Sequence, residues 1–480
     1  MGNKQQTPRA LLELAADSLD TMVDYYYNTC VPDTDNANEA LTTFFEEPES
    51  AETKAGADGL PPHLAARNML TNTLTSIVSA LLGRPISQAS NKDRRATDAE
   101  KEAIAVLLTE GAKDEGKKLK KIEGGLIGKL VEDMMLFDVE AKKALVIIMQ
   151  TLVRERDGFR AYVTSSMSED PNGLSPIVNK LVEGFEDQHF SAKFGIALHT
   201  GPMLMTIVRN DDRTAKSVLD HHIDRFLDVF VQSSSFDIKG IAFDTLRDLL
   251  FTVDANETTF LRKNAADYIN GLWEPSLEDM KKPENQGKPA TNIFFSKLNS
   301  LIILDDFTTV KATVKLLQSV LFCTSKVTFE SMLAYVGDPR NLPVAMNLIR
   351  DTADQLQFEG FHLFKVFVLN PNRPATITRM LTRNKEGMLK YLDTFQQARQ
   401  AEDQPFEAEL QSVKNAIRNM DATELKQKDA LKKASRESAD TAAAAAAAAA
   451  AVTTTADCGG EEQKTEATPA ATEAEETTSN

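Results

Sequence analysis

The chain lacks several patterns that would each assign it to a class of protein. No run of about eighteen apolar residues occurs in its 480 residues, which excludes a membrane-spanning helix. Cys30, Cys323 and Cys458 show neither disulfide nor metal-site spacing, as is typical of a protein in a reducing compartment. The net charge of -17 is opposite in sign to that of a general nucleic-acid-binding protein. We therefore expect a cytoplasmic protein that binds no nucleic acid and inserts into no membrane.

Catalytic and metal-binding motifs are also missing. GGLIGKL, at residues 124–130, resembles a phosphate-binding loop, but its glycines are too close together and Leu130 replaces the magnesium-binding hydroxyl. DTDNANEA, which begins at Asp33, has Asn38 where a calcium loop needs glycine and Phe44 where it needs glutamate. No G-x-S-x-G motif for a nucleophilic serine is present. We therefore predict no catalytic residues, no cofactor and no metal.

Three segments differ in composition from the rest of the chain. Residues 421–480 contain a long alanine run and an acidic end, and this composition predicts a disordered tail. Residues 276–292 are rich in charge, proline and glycine, which predicts a polar surface insertion. Residues 1–65 are predicted to be a divergent helical segment, with an inserted loop between Cys30 and His63.

Elsewhere, apolar residues recur at i, i+3, i+4 and i+7, which is the spacing of amphipathic helices. The segment FEGFHLFKVFVLNPNRP, from Phe358 to Pro374, is the hardest to assign, because its crowded phenylalanines would also suit a strand or a membrane segment. Its helical spacing predicts a buried helix. Pro371 biases the preceding residue away from helical geometry, so we expect this helix to end near Asn370.

One pattern recurs five times: a helix end, a short polar turn, a phenylalanine, and a second helix with apolar residues in register. The anchor residues are Phe137, Phe190, Phe236, Phe307 and Phe358. They are 53, 46, 71 and 51 residues apart, and the longest step is 54 without the 17-residue polar insertion. HEAT and armadillo repeats are slightly shorter, at about 40–47 residues. The spacing therefore predicts an all-α solenoid over residues 66–420, an armadillo/HEAT-like right-handed superhelix of stacked repeats.

Lysines recur shortly after the anchor residues of this acidic protein. They are Lys142, Lys143, Lys193, Lys239, Lys311 and Lys315. One interpretation places them in a basic stripe on the concave face, where Lys193 and Lys239 would bind a partner that presents carboxylates. The other is that their apolar stems lie along a solvated face and have no binding role. The spacing alone does not decide between the two.

Four segments carry a resemblance to a known family. They are GLIGKLVEDMMLFDVEAKKA, SFDIKGIAFDTLRDLL, NLPVAMNLIRDTADQLQFEGFHLFKVFVLNPN and LKYLDTFQQARQAED. From about Ala66 to Met420 the chain resembles the Mo25 family, also called calcium-binding protein 39. The resemblance implies a non-catalytic helical-repeat scaffold that is a monomer alone. It further implies binding to STE20-type kinases or pseudokinases, whose active conformation the scaffold stabilises.

The resemblance also implies two binding surfaces. Phe236 matches a family residue on the concave face, which cradles the kinase domain. A hydrophobic pocket near the C-terminal end would accept a Trp-Glu-Phe tail motif through Lys311, Met346 and Arg383. Lys311 stands where the family has arginine. The positive charge is therefore kept, but the planar guanidinium group, which can pair bidentately with a carboxylate, is lost. Pro343 stands where the family has lysine, which removes one cation from the pocket.

Two alternatives without an effect on kinases stay open. A helical solenoid could be an adaptor for cytoskeletal, flagellar or transport partners, because its extended surface suits many proteins. It could also be a peptide carrier. A bound Trp-Glu-Phe-type peptide, or its absence, would distinguish the kinase scaffold from both.

Overall fold

A computed structural model describes most of the chain, in thirteen segments. They are residues 8–31, 37–45, 60–82, 97–110, 113–114, 117–118, 125–165, 174–186, 195–253, 259–274, 291–304, 306–322 and 326–420. The predicted tail at 421–480, the polar insertion except its last two residues, and Lys193 with Phe190 lie outside them. The chain divides into two compact units, Met1–Phe367 and Val368–Asn480, which we describe separately.

The described residues are almost entirely helical, and this confirms the all-α prediction. The first sixteen α-helices lie in the first unit: α1 Pro8–Tyr25, α2 Ala37–Phe45, α3 Pro62–Leu82, α4 Asp98–Glu110, α5 Leu126–Glu132, α6 Val139–Glu155, α7 Asp157–Thr164, α8 Pro176–Glu183, α9 Ala197–Asn210, α10 Asp212–Gln232, α11 Phe236–Leu250, α12 Lys263–Gly271, α13 Ile293–Ile302, α14 Phe307–Phe322, α15 Lys326–Gly337 and α16 Asn341–Leu348. The next helix, α17, spans Asp354–Leu369 and crosses the boundary between the units. The second unit continues with α18 Ala375–Arg383, α19 Lys385–Asp393, α20 Gln397–Glu402 and α21 Gln404–Arg418.

Short elements of other kinds occupy a few connections. A π-helix, Tyr26–Cys30, extends α1, and a single 3-10 turn, Met134–Leu136, follows α5. The described strands form three antiparallel pairs: β1 Lys113–Asp114 with β2 Lys117–Lys118, β3 Phe251–Val253 with β4 Thr259–Leu261, and β5 Trp273–Glu274 with β6 Thr291–Asn292. The third pair joins Trp273 to Asn292, so it closes the base of the predicted polar insertion.

Polar residues just before several helices fix where those helices begin. The Asp138 carboxylate accepts a hydrogen bond from the Ala141 backbone amide at 2.7 Å, and the Asn292 side chain accepts one from Phe295 at 3.2 Å. Such a cap satisfies a backbone donor that has no partner within the helix, and it stabilises the helix by about 1 kcal/mol. The turn chemistry therefore sets the register in which each helix presents its apolar face.

Five helices of the first unit stack in sequence order: α3 contacts α6, which contacts α9, and the series continues to α11 and α14. We call this series the stacked row. Each member buries apolar side chains, such as Leu145 and Ile148 of α6 and Met203 and Leu204 of α9. A helix with apolar residues toward both neighbours cannot be stable alone, so the repeats share one continuous core. This arrangement confirms the predicted α-solenoid.

The region between Cys30 and His63 was predicted to be an inserted loop, and this prediction is partly wrong. Residues 37–45 form α2, in which Leu41 and Phe44 are fully buried. The Phe44 ring lies 5.5 Å from the His63 ring and 6.1 Å from the Tyr26 ring, centroid to centroid. Aromatic contacts of this kind stabilise packing beyond the area they bury. A short apolar stretch inside a polar segment therefore forms part of the core.

The segment that begins at Phe358 forms the larger part of α17, as predicted. The helix ends at Leu369, two residues before Pro371. Phe361 and Phe364 are fully buried within the first unit. A Cβ atom on Gly360 would lie 2.6 Å from the Leu348 Cβ and 2.8 Å from the Ile349 amide nitrogen, so glycine allows α17 to approach the end of α16 closely.

The four anchor phenylalanines that the structure describes are not structurally equivalent, which corrects the repeat pattern. Phe137 is buried before α6, whereas Phe236 and Phe307 are exposed first residues of their helices. Phe358 lies in the second turn of its helix, because α17 already begins at Asp354. The shared phenylalanine marks a similar sequence position, but the local helix start decides whether the ring packs inward or outward.

The second unit has a small core of its own. Met388 and Leu392 of α19 are buried, as are Leu410 and Val413 of α21, which contacts α19. Lys385 Nζ donates to the Met420 carbonyl oxygen at 3.2 Å. Across all described residues, no helix combines the length and the apolar character needed to cross a bilayer.

Candidate partner-binding surface

Phe236 is the most exposed phenylalanine among the described side chains, with 69% of its surface accessible. It is the first residue of α11, directly after Ser235, whose hydroxyl accepts a hydrogen bond from the Ile238 amide at 3.4 Å. Ile238 is buried, so the first turn of α11 directs Ile238 toward the core while Phe236 stays outside.

The start of α14 lies next to the start of α11 and is also apolar. Phe307, the first residue of α14, is 46% exposed, and Ile303, just after α13, is 71% exposed. Lys239 joins the two helix starts, because its Nζ lies 2.6 Å from Asp306 Oδ2. We call Phe236, Ile303 and Phe307 the exposed edge. Apolar groups clustered at the surface are typical of sites where proteins bind one another.

Lys239 has a structural partner at this edge. Its Nζ donates to Asp306 and also lies 3.4 Å from the Thr309 hydroxyl. The hydrogen bond from Lys239, followed by one from Thr309, lowers the pKa of the Asp306 carboxyl to about 2. The ammonium is therefore engaged within the protein. A partner carboxylate would have to compete with Asp306 to bind it.

The other lysines of the predicted stripe differ from one another in environment. Lys142 is buried, and burial lowers its pKa to about 8. Lys143 is exposed and pairs with Glu140 at 2.8 Å. Lys315 is exposed on α14. Similar spacing in sequence thus places these ammonium groups in a core, in an ion pair and in solvent.

Lys311 connects the exposed edge to the next helix. Its Nζ donates to Gln355 Oε1 of α17 at 2.7 Å and lies 5.6 Å from the centroid of the Phe307 ring. A cation at this distance from an aromatic face is attracted to the ring. Both contacts are uncharged, so the positive charge of Lys311 remains available to a carboxylate of a partner.

Met346 lies on α16, whose position a buried polar network fixes. Asn299 Nδ2 donates to Asn341 Oδ1 at 2.7 Å, and Asn341 Nδ2 donates to the Tyr335 carbonyl oxygen at 2.8 Å. Because buried polar groups without partners are costly, this network favours a single placement of α16 against α13 and α15. Met346 is half-buried on that helix, and Pro343 is exposed.

Arg383 is the last residue of α18 in the second unit, and its side chain is exposed. In the first unit, the structure brings Phe236, Lys239 and Lys311 to the neighbouring helices α11 and α14, while Met346 lies on a third helix, α16. A cationic side chain at a helix C-terminus is favourably placed against the helix dipole. Lys193 lies outside the described residues.

Sequence reasoning gave no binding role to Phe307 or Ile303. The signal for Phe307 was present, because Phe236 is followed by Lys239 in much the same way as Phe307 is followed by Lys311. Ile303 carries no such signal. Within the described segments, no three His, Cys, Asp or Glu side chains lie close enough together to hold a metal ion.

Comparisons with known proteins cover most of the first unit and residues 368–421 of the second. The family model described as Mo25-like matches residues 74–279 and 287–421. "Calcium-binding protein 39-like" from Homo sapiens is 29% identical over 299 residues, which is 62% of this chain and 77% of the human protein. "Degreening-related gene dee76 protein" from Auxenochlorella protothecoides is 31% identical over 303 residues, 62% of this chain and 80% of the algal one. "MO25-like protein 2" from Caenorhabditis elegans is 29% identical over 275 residues, 57% of this chain and 70% of the worm protein.

Proposed function

The chain belongs to the Mo25-like family, and from this membership we propose that it is a non-catalytic scaffold for a STE20-type kinase or pseudokinase. In this proposal the protein acts in the cytoplasm, is a monomer when alone, and stabilises the active conformation of its partner. The observation that carries the proposal is the exposed edge, where two large aromatic rings stay in solvent at the starts of stacked helices.

Phe236 is the proposed anchor of the contact with the kinase domain. A large, rigid apolar side chain that enters a pocket of a partner contributes more to affinity than the polar groups around it. The edge is supported by the stacked row and by the Lys239–Asp306 bond, so little conformational freedom is lost on binding. Lys311, beside the edge, supplies a charge for a carboxylate of the kinase.

The effect on the kinase follows from differential binding. A scaffold shifts its partner toward the active conformation only to the extent that it binds that conformation more tightly. A preference of about 1.4 kcal/mol changes the ratio of active to inactive kinase tenfold. A stacked solenoid suits this role because its surface has one shape and selects the kinase conformation that fits it.

We further propose that Lys311 and Met346 of the first unit bind a short tail motif of the Trp-Glu-Phe type, and separately that Arg383 of the second unit is a partner-binding residue. Met346 would adapt its flexible side chain to an aromatic ring, and Lys311 would attract the glutamate. A fluorescent peptide that ends in Trp-Glu-Phe should bind the full-length protein, and Met346→Ala should abolish binding. Arg383→Ala is tested in the same way for a contribution of its own. Lys390→Ala, an exposed cation on the neighbouring helix α19, is the matched control. Equal binding by all variants would contradict this part of the proposal.

The main experiment is a pull-down from a native lysate of the cells that express this protein. The captured proteins are scored for kinases and pseudokinases. We expect the wild-type protein to capture a STE20-type kinase and Phe236→Ala to lose it, at a cost of about 2 kcal/mol or about thirtyfold in affinity. Phe329→Ala is the matched control, because Phe329 is also an exposed phenylalanine but lies on α15.

The activity of the captured kinase is then measured with and without added wild-type protein. A rise in activity that Phe236→Ala fails to produce supports the kinase scaffold. Capture without any change in activity contradicts the proposed stabilisation of the active conformation. It would favour an adaptor for cytoskeletal, flagellar or transport partners instead.

A further inference from the structure

A further surface lies in the second unit, on helix α18. Arg379 and Arg383 are one turn apart on this helix, and both side chains are exposed. Ile377 and Leu381 are buried, so α18 packs its apolar residues and leaves the two arginines outside the core. We call Arg379 and Arg383 the arginine face. Residues i and i+4 are neighbours on the surface of a helix, so both guanidinium groups can meet one acidic segment.

The sequence around α18 is basic. From residue 370 to residue 385 the chain contains four basic residues and no acidic one. Two of the four, Arg373 and Lys385, donate to backbone carbonyl oxygens, which carry no net charge. Glu386 is the first acidic residue that follows, and within the described residues it forms no ion pair with Arg383. Positive charge is therefore concentrated around the arginine face.

The described part of the chain ends beside this helix. Lys385 Nζ donates to the carbonyl oxygen of Arg418 and, at 3.2 Å, to that of Met420. Met420 is buried and is the last described residue. Because Lys385 follows Arg383 by two residues, these bonds hold the end of the described chain near the C-terminal end of α18. Residues 421–480 therefore start next to the arginine face.

The charge of the following sequence is complementary to that of the second unit. Residues 368–420 contain eight basic and six acidic residues. Residues 457–476, which we call the acidic segment, contain seven acidic residues and one lysine. Residues 1–367 carry a net charge of -13, so on average they repel the acidic segment. The basic sequence around α18 is thus the part of the described chain that suits this segment electrostatically.

We propose that the acidic segment of this chain binds the arginine face, with its glutamates paired to Arg379 and Arg383. Asp457 follows Met420 by 37 residues, and a chain of that length spans about 120 Å at full extension, so the segment can reach α18. A tethered segment binds at a high effective concentration, so a few exposed ion pairs suffice. The docking does not depend on the kinase scaffold. Only its consequence, that a partner has to displace the segment from Arg383, rests on the proposed function.

The test uses the full-length protein without a partner and with 13C-labelled methionine methyl groups. A nitroxide is attached to Cys458, inside the acidic segment, after Cys323→Ser has removed a second thiol; Cys30 is buried. We expect the nitroxide to reduce the methyl signal of Met380, which lies between the two arginines on α18, by more than half relative to the chemically reduced label. The signal of Met203, buried in α9 of the first unit, should keep its intensity.

Substitutions then separate docking from mere proximity of the tether. The double variant Arg379→Gln, Arg383→Gln should restore the Met380 signal. Replacing the six glutamates of the acidic segment by glutamine should restore it as well, and this change leaves every described residue as it is. Lys390→Gln, an exposed cation on α19, is the matched control and should leave the loss of signal unchanged.

Three results would overturn the proposal. The first is a Met380 signal that the nitroxide does not reduce. The second is a reduction that persists in both charge variants, because the tether alone would then cause it. The third is a reduction in a mixture of spin-labelled protein and separately 13C-labelled protein, which would assign the contact to a second copy of the chain. Since no kinase is present, each of these results leaves the proposed kinase scaffold untouched.

Discussion

Phenylalanine occurs in two opposite settings in the first unit. On the exposed edge, Phe236 and Phe307 each begin a helix and leave about half or more of their surface in solvent. In α17, Phe361 and Phe364 lie three and six residues after Phe358 and are fully buried. The same residue type therefore has a binding role in one place, in our proposal, and a packing role in the other.

The contrast shows what decides the role of an aromatic residue. A residue at helical spacing in the middle of a helix shares the buried face with its neighbours one turn away. A residue in the first turn can lie beside that face, because the capping residue, not the core, fixes its direction. Position relative to the helix start is therefore more informative than the number of aromatic residues in a segment.

The largest effect on stability is expected for the buried phenylalanines of α17. Phe364→Ala should lower the free energy of unfolding by about 3–5 kcal/mol, because it leaves a cavity in the core. Phe236→Ala should change it by no more than about 0.5 kcal/mol, since the ring is exposed. Chemical denaturation of both variants measures this difference. Equal destabilisation would show that the ring of Phe236 packs as part of the core.

A second substitution tests the close approach of α17 to α16. Gly360→Ala places a methyl group 2.6 Å from the Leu348 Cβ and against backbone atoms, which cannot yield easily. We expect a loss of about 1–3 kcal/mol in the free energy of unfolding. Gly240→Ala on α11 is the control, because no atom lies within 4 Å of its added methyl group. That variant should be more stable by about 0.5–1 kcal/mol, and a matching loss in both variants would refute the packing explanation.

A smaller effect is expected at the Lys239–Asp306 bond on the exposed edge. Asp306 has a pKa of about 2 in the folded protein, against 3.8 for the unperturbed group. A lowered pKa means that the bond stabilises the fold above about pH 4 and loses this contribution as the pH falls through 2. Lys239→Met should cost about 0.5–1 kcal/mol at pH 7, since the pair is partly exposed.

The pH dependence of that cost is the informative part. The free energy of unfolding in urea should be lower for Lys239→Met than for the wild type at every pH from 5 to 7. This difference between the two proteins should shrink as the pH falls below 4. Lys143→Met, which breaks an exposed pair on α6, is the control and should have the smaller effect. If the difference in stability stays constant down to low pH, the charge of Asp306 is not its cause.

The buried helix α17 and the stacking of the repeats could largely be predicted from the sequence. The helical spacing of Phe358, Phe361 and Phe364, with Pro371 as a stop signal, gave both the helix and its end. The stacked repeats followed from the recurrence of similar segments. Local patterns suffice here, because helix periodicity and proline geometry act over a few residues.

The sequence pattern alone could not predict which phenylalanines and lysines are exposed. Phe137 and Phe236 occupy similar places in the repeat, yet one is buried and the other exposed. Lys142 and Lys143 are adjacent, yet one is in the core and the other in solvent. Such differences depend on how much space the neighbouring helices leave, and side chains distant in sequence determine that space. The resemblance singled out Phe236, whereas its neighbours Ile303 and Phe307 emerged only from the fold.

The most direct test of the central claim is the affinity of a purified STE20-type kinase domain for the exposed edge. It is measured by calorimetry with the wild type and with a Phe236→Ala, Phe307→Ala double variant whose unfolding is checked to be unchanged. We predict a loss of more than about a hundredfold for the double variant and none for the Phe329→Ala control. Unchanged affinity in the correctly folded double variant would contradict the claim that this edge binds the kinase.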